Sequence, residues 1–434
     1  MNNVNVTDFI NTEYLGYANY VLSARAIPSC IDGFKKSQRK VLYTALNHAK
    51  NKRVKTAALS GMTVAYANYH HGSSSLDGAI SLMTPLWKNN VPLFDGEGNF
   101  GSRLVNDPAA ARYTFVKLHK NFVDNFPDID LAEFYKLDDP EDPEPACYMP
   151  LIPWVLAQGI KGIAVGYATE IQQYSKKDLT KLCKMYLSGQ NIDNEVLLPH
   201  FDSFNGRIYS NAAGVFNEGV INIKSATNVD ITELPIGYQR ETYISILDKL
   251  EDDNKIVSYN DKCSGGNFKF EVKLRRGVKY NNTQLIKLFK LTQKLNENLT
   301  TIDESGKLKI FKNKIEIIKY FCDWRLAQYK VRYSHYIKRD SDKLKLLQLR
   351  IMYINEVNSG VIQFINKSKS EVELFVSSRY KITKDLSDKL ISMPMYNLTS
   401  SYKSGLSDTS DQLIADIKLW KSINHKEQYL KELK

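Results

Sequence analysis

The sequence predicts a multidomain α+β protein. Three observations carry this: short amphipathic helices with tight turns in the first hundred residues, strand-like alternation from 205 to 275, and no glycine or proline from Lys307 to Ser359. With 434 residues and 43% hydrophobic content, the chain can bury several cores. Its net charge of +11 and pI near 9.1 point to a polyanionic partner.

Thr7-Asp8 offers an N-cap, and Phe9, Ile10, Tyr14, Tyr17, Ala18, Val21 and Leu22 suit an amphipathic helix ending near Ser23. Pro28 breaks it, Asp32-Gly33 turns the chain, and a second helix runs from Ser37 to Ala49. No acid lies between Asp32 and Asp77, whereas Lys35, Lys36, Arg39, Lys40, Lys50, Lys52, Arg53 and Lys55 do. Such a one-signed patch reads as a phosphate-binding surface. Further helices are expected over Thr56–Tyr69 and from Ser73 to Met83, with Gly72 ending one and a serine capping the next. Together they make a helix-turn-helix whose last helix faces DNA, its N-terminus carrying hydroxyls and free N–H groups for phosphate. His70 and His71 are adjacent and diverge, which suits DNA contact better than a metal.

The stretch from Phe94 to His119 has two glycine-bounded turns, then Ala109-Ala110-Ala111 leading to Arg112 and Tyr113. A phenol is a poor nucleophile at its usual pKa of about 10. A neighbouring guanidinium stabilises both the phenolate and the charge on an attacked phosphate. Leu137 to Pro153 is proline-rich and acidic and reads as a connector; Asp128-Ile129-Asp130 before it reads as a solvated acidic loop.

Beyond the connector, Gly159–Thr169 has the small-residue density of a tight turn near a ligand. Strands are expected at 220–223, 229–234 and 268–274, a helix over Glu241–Leu250, and a hairpin pairing 299–302 with 308–311. A helix of some 40 residues after Lys307 would span roughly 60 Å. Its stripe of Tyr329, Tyr333, Tyr336, Leu344, Leu347, Ile351 and Ile354 matches a second stripe of Leu413, Ile417, Trp420 and Leu430, which predicts an antiparallel coiled-coil arm. Five scattered cysteines without a C-x-x-C pair argue against a disulfide framework or zinc site. No signal peptide or apolar run of about 18 residues is present, so a soluble, cytoplasmic protein is expected.

Five runs, R-A-I-P-S-C-I-D-G-F-K-K-S-Q-R-K-V-L-Y (25–43), Y-H-H-G-S-S-S-L (69–76), G-N-F-G-S-R (98–103), A-A-A-R-Y-T (109–114) and G-I-K-G-I-A-V-G-Y-A-T (159–169), occur in the order found in the breakage-and-rejoining part of type II DNA topoisomerases. The chain resembles that family over these runs. Its Y-H-H-G form looks more like eukaryotic and T-even-like bacteriophage enzymes than bacterial gyrase. Cleavage motifs that begin near Met1 in a chain ending at Lys434 resemble a cleavage subunit made separately from its ATPase; if phage-encoded, it would work in the host cytoplasm.

The resemblance implies a winged-helix DNA-cleavage domain (1–136), the connector (137–153), an α/β tower domain (154–312) and a coiled-coil arm (313–434) with a helical exit-gate tip at about 357–410. The tip would dimerise through 391–399, with Gly360-Val361-Ile362 and Phe364-Ile365 adding apolar contacts. Tyr113 would form a 5′-phosphotyrosyl bond and Arg112 would stabilise the transition state. Arg25, Lys35 and Arg39 would hold the cleaved strand, Asp32 would support them, and His70, His71 and Ser73 would contact DNA. Ile163 would wedge between base pairs; by the residues alone it reads as buried in a glycine-rich turn. The partners implied are double-stranded DNA, a second copy, and an ATPase subunit that also binds Mg²⁺, since neither the family's Glu…D-x-D site nor a nucleotide loop is found here. Without the β-pinwheel of gyrase, relaxation and decatenation are expected rather than supercoiling. Two rivals follow from the same residues: a non-catalytic helix-turn-helix protein with a dimer arm, and a histidine-tyrosine nicking enzyme.

Overall fold

The computed structural model describes residues 6–132, 142–277, 280–364 and 366–433. It divides into two units, one of residues 1–325 with the last three residues, the other Leu326–Lys431. Among the described residues no helix is long and apolar enough to cross a membrane. All five cysteines are free.

The first unit opens with helix throughout, α-helical over Val6–Phe9 and Leu15–Tyr20 and π-wound over Ile10–Tyr14 and Val21–Ala26. It runs one turn past the expected end, and Ile27 then turns extended as a residue before proline must. The expected apolar stripe is present but mostly exposed: Phe9, Ile10, Tyr14 and Tyr17 are each about half exposed, and Ala18 is buried.

Three helices follow, Lys36–Asn47, Thr56–Tyr66 and Ser73–Met83. The second stops at Tyr66, three residues short of the expectation, and Gly72 is the N-cap of the third, with no serine side chain capping it. A three-stranded antiparallel sheet lies beside them, in the order Val54–Lys55, Phe115–Leu118, Phe94–Glu97. The core behind this layer is aromatic. Phe126 stacks on Phe122 (4.7 Å between centroids) and Phe34 (5.6 Å), and meets Trp154 edge-on at 4.9 Å.

Two expectations are corrected here. Asp128 is not solvated: it is 1% exposed and paired with the equally buried Arg325 at 2.5 Å. Desolvating that carboxylate is tolerable because the guanidinium sits against it. Nor is the described part of the connector, 142–153, a free linker. Tyr148 packs edge-on against Phe122, and Met149 and Ile152 are 1% exposed. Residues 137–141 lie outside the described residues.

The next layers form a second core. A four-stranded antiparallel sheet runs Ile256–Asp261, Phe270–Leu274, Asn228–Glu233, Val220–Ser225. Alternate residues Val229 and Ile231, and Phe270, Val272 and Leu274, turn inward as a two-residue period demands. Helix Arg240–Asp252 covers them with Tyr243, Leu247 and Leu250. A three-stranded sheet (Thr292–Leu295, Gly214–Glu218, Arg207–Asn211) and the hairpin Thr300–Ile302/Leu308–Ile310 complete the set. The tight turn expected at 159–169 is a hairpin, Ile160–Ile163 against Ala168–Ile171.

The glycine-free stretch is one helix, Lys314–Asn358, of 45 residues. In the second unit its Tyr329 ring stacks on Tyr429 at 4.9 Å, and Tyr333 lies 5.8 Å from Trp420. Trp420 donates its indole N–H to Asp340 at 3.0 Å. The returning helices are Ser400–Ser422 and His425–Glu432. Between them and the long helix, Lys369–Tyr380 and Lys384–Ile391 enclose a small core of Tyr353, Ile362, Val372, Val376 and Leu390. Ile362 is therefore buried rather than free for a dimer contact, while Val361 and Phe364 are exposed; Ile365 lies outside the described residues. Met395 and Tyr396, at 85% and 73% exposure, are the most exposed apolar side chains of the segment 391–399.

Candidate nucleic-acid cleavage site

Tyr113 is 65% exposed although the chain on both sides of it is pinned. Its N–H donates to the Ala110 carbonyl, and Ala57 N–H to Ala111. Thr56 N–H donates to Thr114, and the two threonine hydroxyls bond at 2.7 Å. The start of the Thr56–Tyr66 helix thereby fixes the turn that presents the phenol. Arg112, also exposed, lies with its guanidinium carbon 4.7 Å from the centre of the Tyr113 ring. That contact rests the cation on the Tyr113 ring, and among the described residues no ion pair takes up its donors.

The basic patch is less one-signed in space than in sequence. Arg39 is buried. Its Nε donates to Asp32 Oδ2 at 2.7 Å and its Nη2 to the Phe34 carbonyl at 3.0 Å. Asp32, 0% exposed, also accepts from the N–H groups of Phe34 and Tyr148, both at 3.0 Å. Burial opposes the Arg39 charge, but Asp32 outweighs it and raises the guanidinium pKa. Arg39 is thus engaged in holding the 32–35 turn. Lys40 is spent likewise, on Asp142 at 2.7 Å, Glu144 at 2.9 Å and the Ala67 carbonyl at 2.6 Å; Lys36 also pairs with Asp142. Burial pushes Glu144 up, while hydrogen bonds from Lys36 and Lys40 overcome burial at Asp142 and hold it down. The acids absent between Asp32 and Asp77 are supplied by the connector and, for Arg53, by Glu97.

Among the described residues Lys35 is paired with no acid. Its Nζ donates to the Lys161 carbonyl at 2.9 Å, on the hairpin that carries Ile163. Ile163 is 78% exposed, which contradicts the buried reading of that residue. The hairpin presses on the end of the first helix: a Cβ on Gly162 would lie 2.0 Å from the Ala26 carbonyl oxygen.

A cleft of about 1040 Å³ brings Arg25, Lys35, His70 and His71 together, with Tyr20 and Lys161 also on its wall. Tyr113, Arg112, Ser73, Ile163, Asp32 and Arg39 do not line it. The two histidines are in a loop rather than at a helix end. His71 Nε2 is 2.8 Å from the Tyr20 hydroxyl, and its ring meets Tyr69 edge-on. Desolvation, then the Arg25 charge, then His70 lower the His71 pKa. Tyr20 was not singled out in the sequence; its place between the expected helical contacts Tyr17 and Val21 gave no periodic signal. Among the described residues no group of three His, Cys, Asp or Glu side chains is placed to hold a metal ion. In the D-x-D run at 128–130, Asp128 is engaged by Arg325.

The mixed α/β architecture is similar to that of a solved structure, the DNA-binding, cleavage and re-ligation domain of Plasmodium falciparum topoisomerase II. The two agree with a TM-score of 0.86 at 28% identity, over 98% of this chain and 63% of that one. The sequence model of the DNA gyrase/topoisomerase IV A-subunit matches residues 25–434. The chain is 34% identical to the DNA topoisomerase medium subunit of Enterobacteria phage T4, over 100% of this chain and 99% of that protein. It is 32% identical to the mitochondrial DNA topoisomerase 2 of Dictyostelium discoideum, over 84% of this chain but only 29% of that much longer protein. The chain belongs to the DNA gyrase/topoisomerase IV A-subunit family and is a type II DNA topoisomerase breakage-reunion subunit.

Proposed function

We propose that Tyr113 is the nucleophile of a transient double-strand break. Its phenolic oxygen attacks a backbone phosphorus, the P–O3′ bond breaks, and the phenolic proton is delivered to the departing 3′ oxygen. The 5′ end stays esterified to tyrosine, so the phosphodiester energy is retained and religation is the reverse attack. Arg112, lying over the ring, can swing its N–H groups onto the charge that builds on phosphorus. The observation that carries this reading is the pairing of an exposed tyrosine, on a turn pinned to a helix start, with an arginine free of acid partners among the described contacts.

The three helices and the three-stranded sheet beside them are read as the winged-helix cleavage domain, the four-stranded sheet and the second three-stranded sheet as the tower, and the long helix with its returning partners as a coiled-coil arm closing a dimer at 391–399. The cleft with Arg25, Lys35, His70 and His71 binds duplex backbone, Ser73 adds a contact at its helix start, and Ile163 wedges a base step. Asp32 and Arg39 act through the turn that aims Lys35. As the resemblance to the family implies, the metal and the ATPase are assigned to a partner subunit, which makes relaxation and decatenation ATP-dependent. The complex works in the cytoplasm, a host's if the gene is a phage's.

The test mixes the chain with that partner, ATP, Mg²⁺ and supercoiled plasmid, traps with detergent and digests with protease. Protein-linked linear DNA is expected, with Tyr113→Phe abolishing it. Linear product from the phenylalanine variant would overturn the assignment.

A further inference from the structure

The loop between Phe100 and Pro108 is built to hold a fixed shape. Ala109 N–H donates to the Asn99 carbonyl at 2.9 Å, Gly101 N–H to Asn99 Oδ1 at 2.8 Å, and Ser102 N–H to Val105 at 2.7 Å. Gly101 has φ +77°, and a Cβ there would sit 2.5 Å from the Asn106 carbonyl oxygen, so the loop closes on itself. Its tip leaves the helical layer and plugs into the four-stranded sheet region. Arg103 Nη1 donates to Glu233 Oε1 at 2.7 Å and to the Ser203 carbonyl at 3.1 Å; Nη2 donates to the Leu234 carbonyl at 2.8 Å. Its guanidinium carbon is 5.4 Å from the Phe204 ring centre and 5.2 Å from that of Phe268. Leu104 packs on the same core, and its carbonyl accepts from Arg240 N–H at 3.2 Å. Glu233 is 3% exposed and further held by the N–H groups of Asn205 and Leu234.

From this socket the chain runs through Pro108 and the three alanines, 109–111, to Arg112 and Tyr113. We propose that Arg103 is a positioning residue for strand cleavage: through it the sheet region of 220–274 sets where the Tyr113 turn stands. The inference rests on Tyr113 being the nucleophile. A fork of hydrogen bonds between two aromatic faces fixes orientation as well as distance, which a lysine does not reproduce.

The experiment measures plasmid relaxation by the full chain with its ATPase partner for Arg103→Ala, Arg103→Lys and Glu233→Gln, with Tyr113→Phe alongside. Misplacement of the nucleophile should lower kcat about 10- to 100-fold while KM for DNA stays within about twofold, and Arg103→Lys should recover part of the loss. Wild-type kcat in Arg103→Ala, or kcat and DNA affinity falling together, would overturn the proposal. If Arg103→Ala does not fold, Glu233→Gln decides: lower kcat at unchanged KM supports it, and unchanged kcat refutes it. Should Tyr113→Phe still link to DNA, the nucleophile assignment fails; should it be dead while the Arg103 variants run at wild-type rate, only the positioning claim fails.

Discussion

Replacing Arg39 by leucine should cost the first unit about 4 kcal/mol. Asp32 is fully buried and accepts from Arg39, Phe34 N–H and Tyr148 N–H. Removing the guanidinium leaves a carboxylate in an apolar surrounding with two backbone donors and no counter-charge, a loss of about 3–5 kcal/mol for a broken buried pair. With a urea dependence of about 3 kcal/mol per molar, the unfolding midpoint falls by about 1.3 M. Asp32→Asn removes the charge but keeps an acceptor for a backbone N–H. Combined with Arg39→Leu it should therefore restore about 2 kcal/mol relative to the sum of the singles. Urea titrations of the four proteins, followed by fluorescence and circular dichroism, measure the cycle. A loss below about 1 kcal/mol for Arg39→Leu, or strict additivity in the double variant, would refute the claim that this pair is a buried structural device.

Other outcomes are expected. Gly162→Ala must displace the Ile163 hairpin from the Ala26 carbonyl and should reduce cleavage about tenfold or more, read as trapped linear DNA; unchanged cleavage would mean the hairpin tip is dispensable. His71 is held below the ordinary imidazole pKa by desolvation and then by Arg25 and His70. A phosphate bound beside it favours the protonated ring, so binding takes up a proton. Duplex affinity should then rise as pH falls from about 7 through the depressed pKa, and His71→Ala should flatten that slope in binding titrations across pH. Tyr329→Ala empties a fully buried site stacked on Tyr429 and should cost the second unit about 3 kcal/mol, seen as faster proteolysis within 326–431.

Much of this was legible in one dimension because local rules act over a few residues. The Ser73–Met83 helix, the strands alternating around Val229 and Phe270, and the long helix free of glycine follow from spacing and backbone preference alone. Five short motifs in order marked the family because chemistry on a phosphodiester constrains residue identity more tightly than packing does. What the sequence could not state is which charges are used up. Lys40 meets Asp142 and Glu144 more than a hundred residues away, Arg39 turns back to Asp32, and Arg325 neutralises Asp128 across nearly two hundred positions. Ion pairing is decided by three-dimensional proximity in a medium that penalises an unpaired charge. So residue type made Tyr113 and its neighbours candidates, while only the fold showed which cations are paired with distant acids.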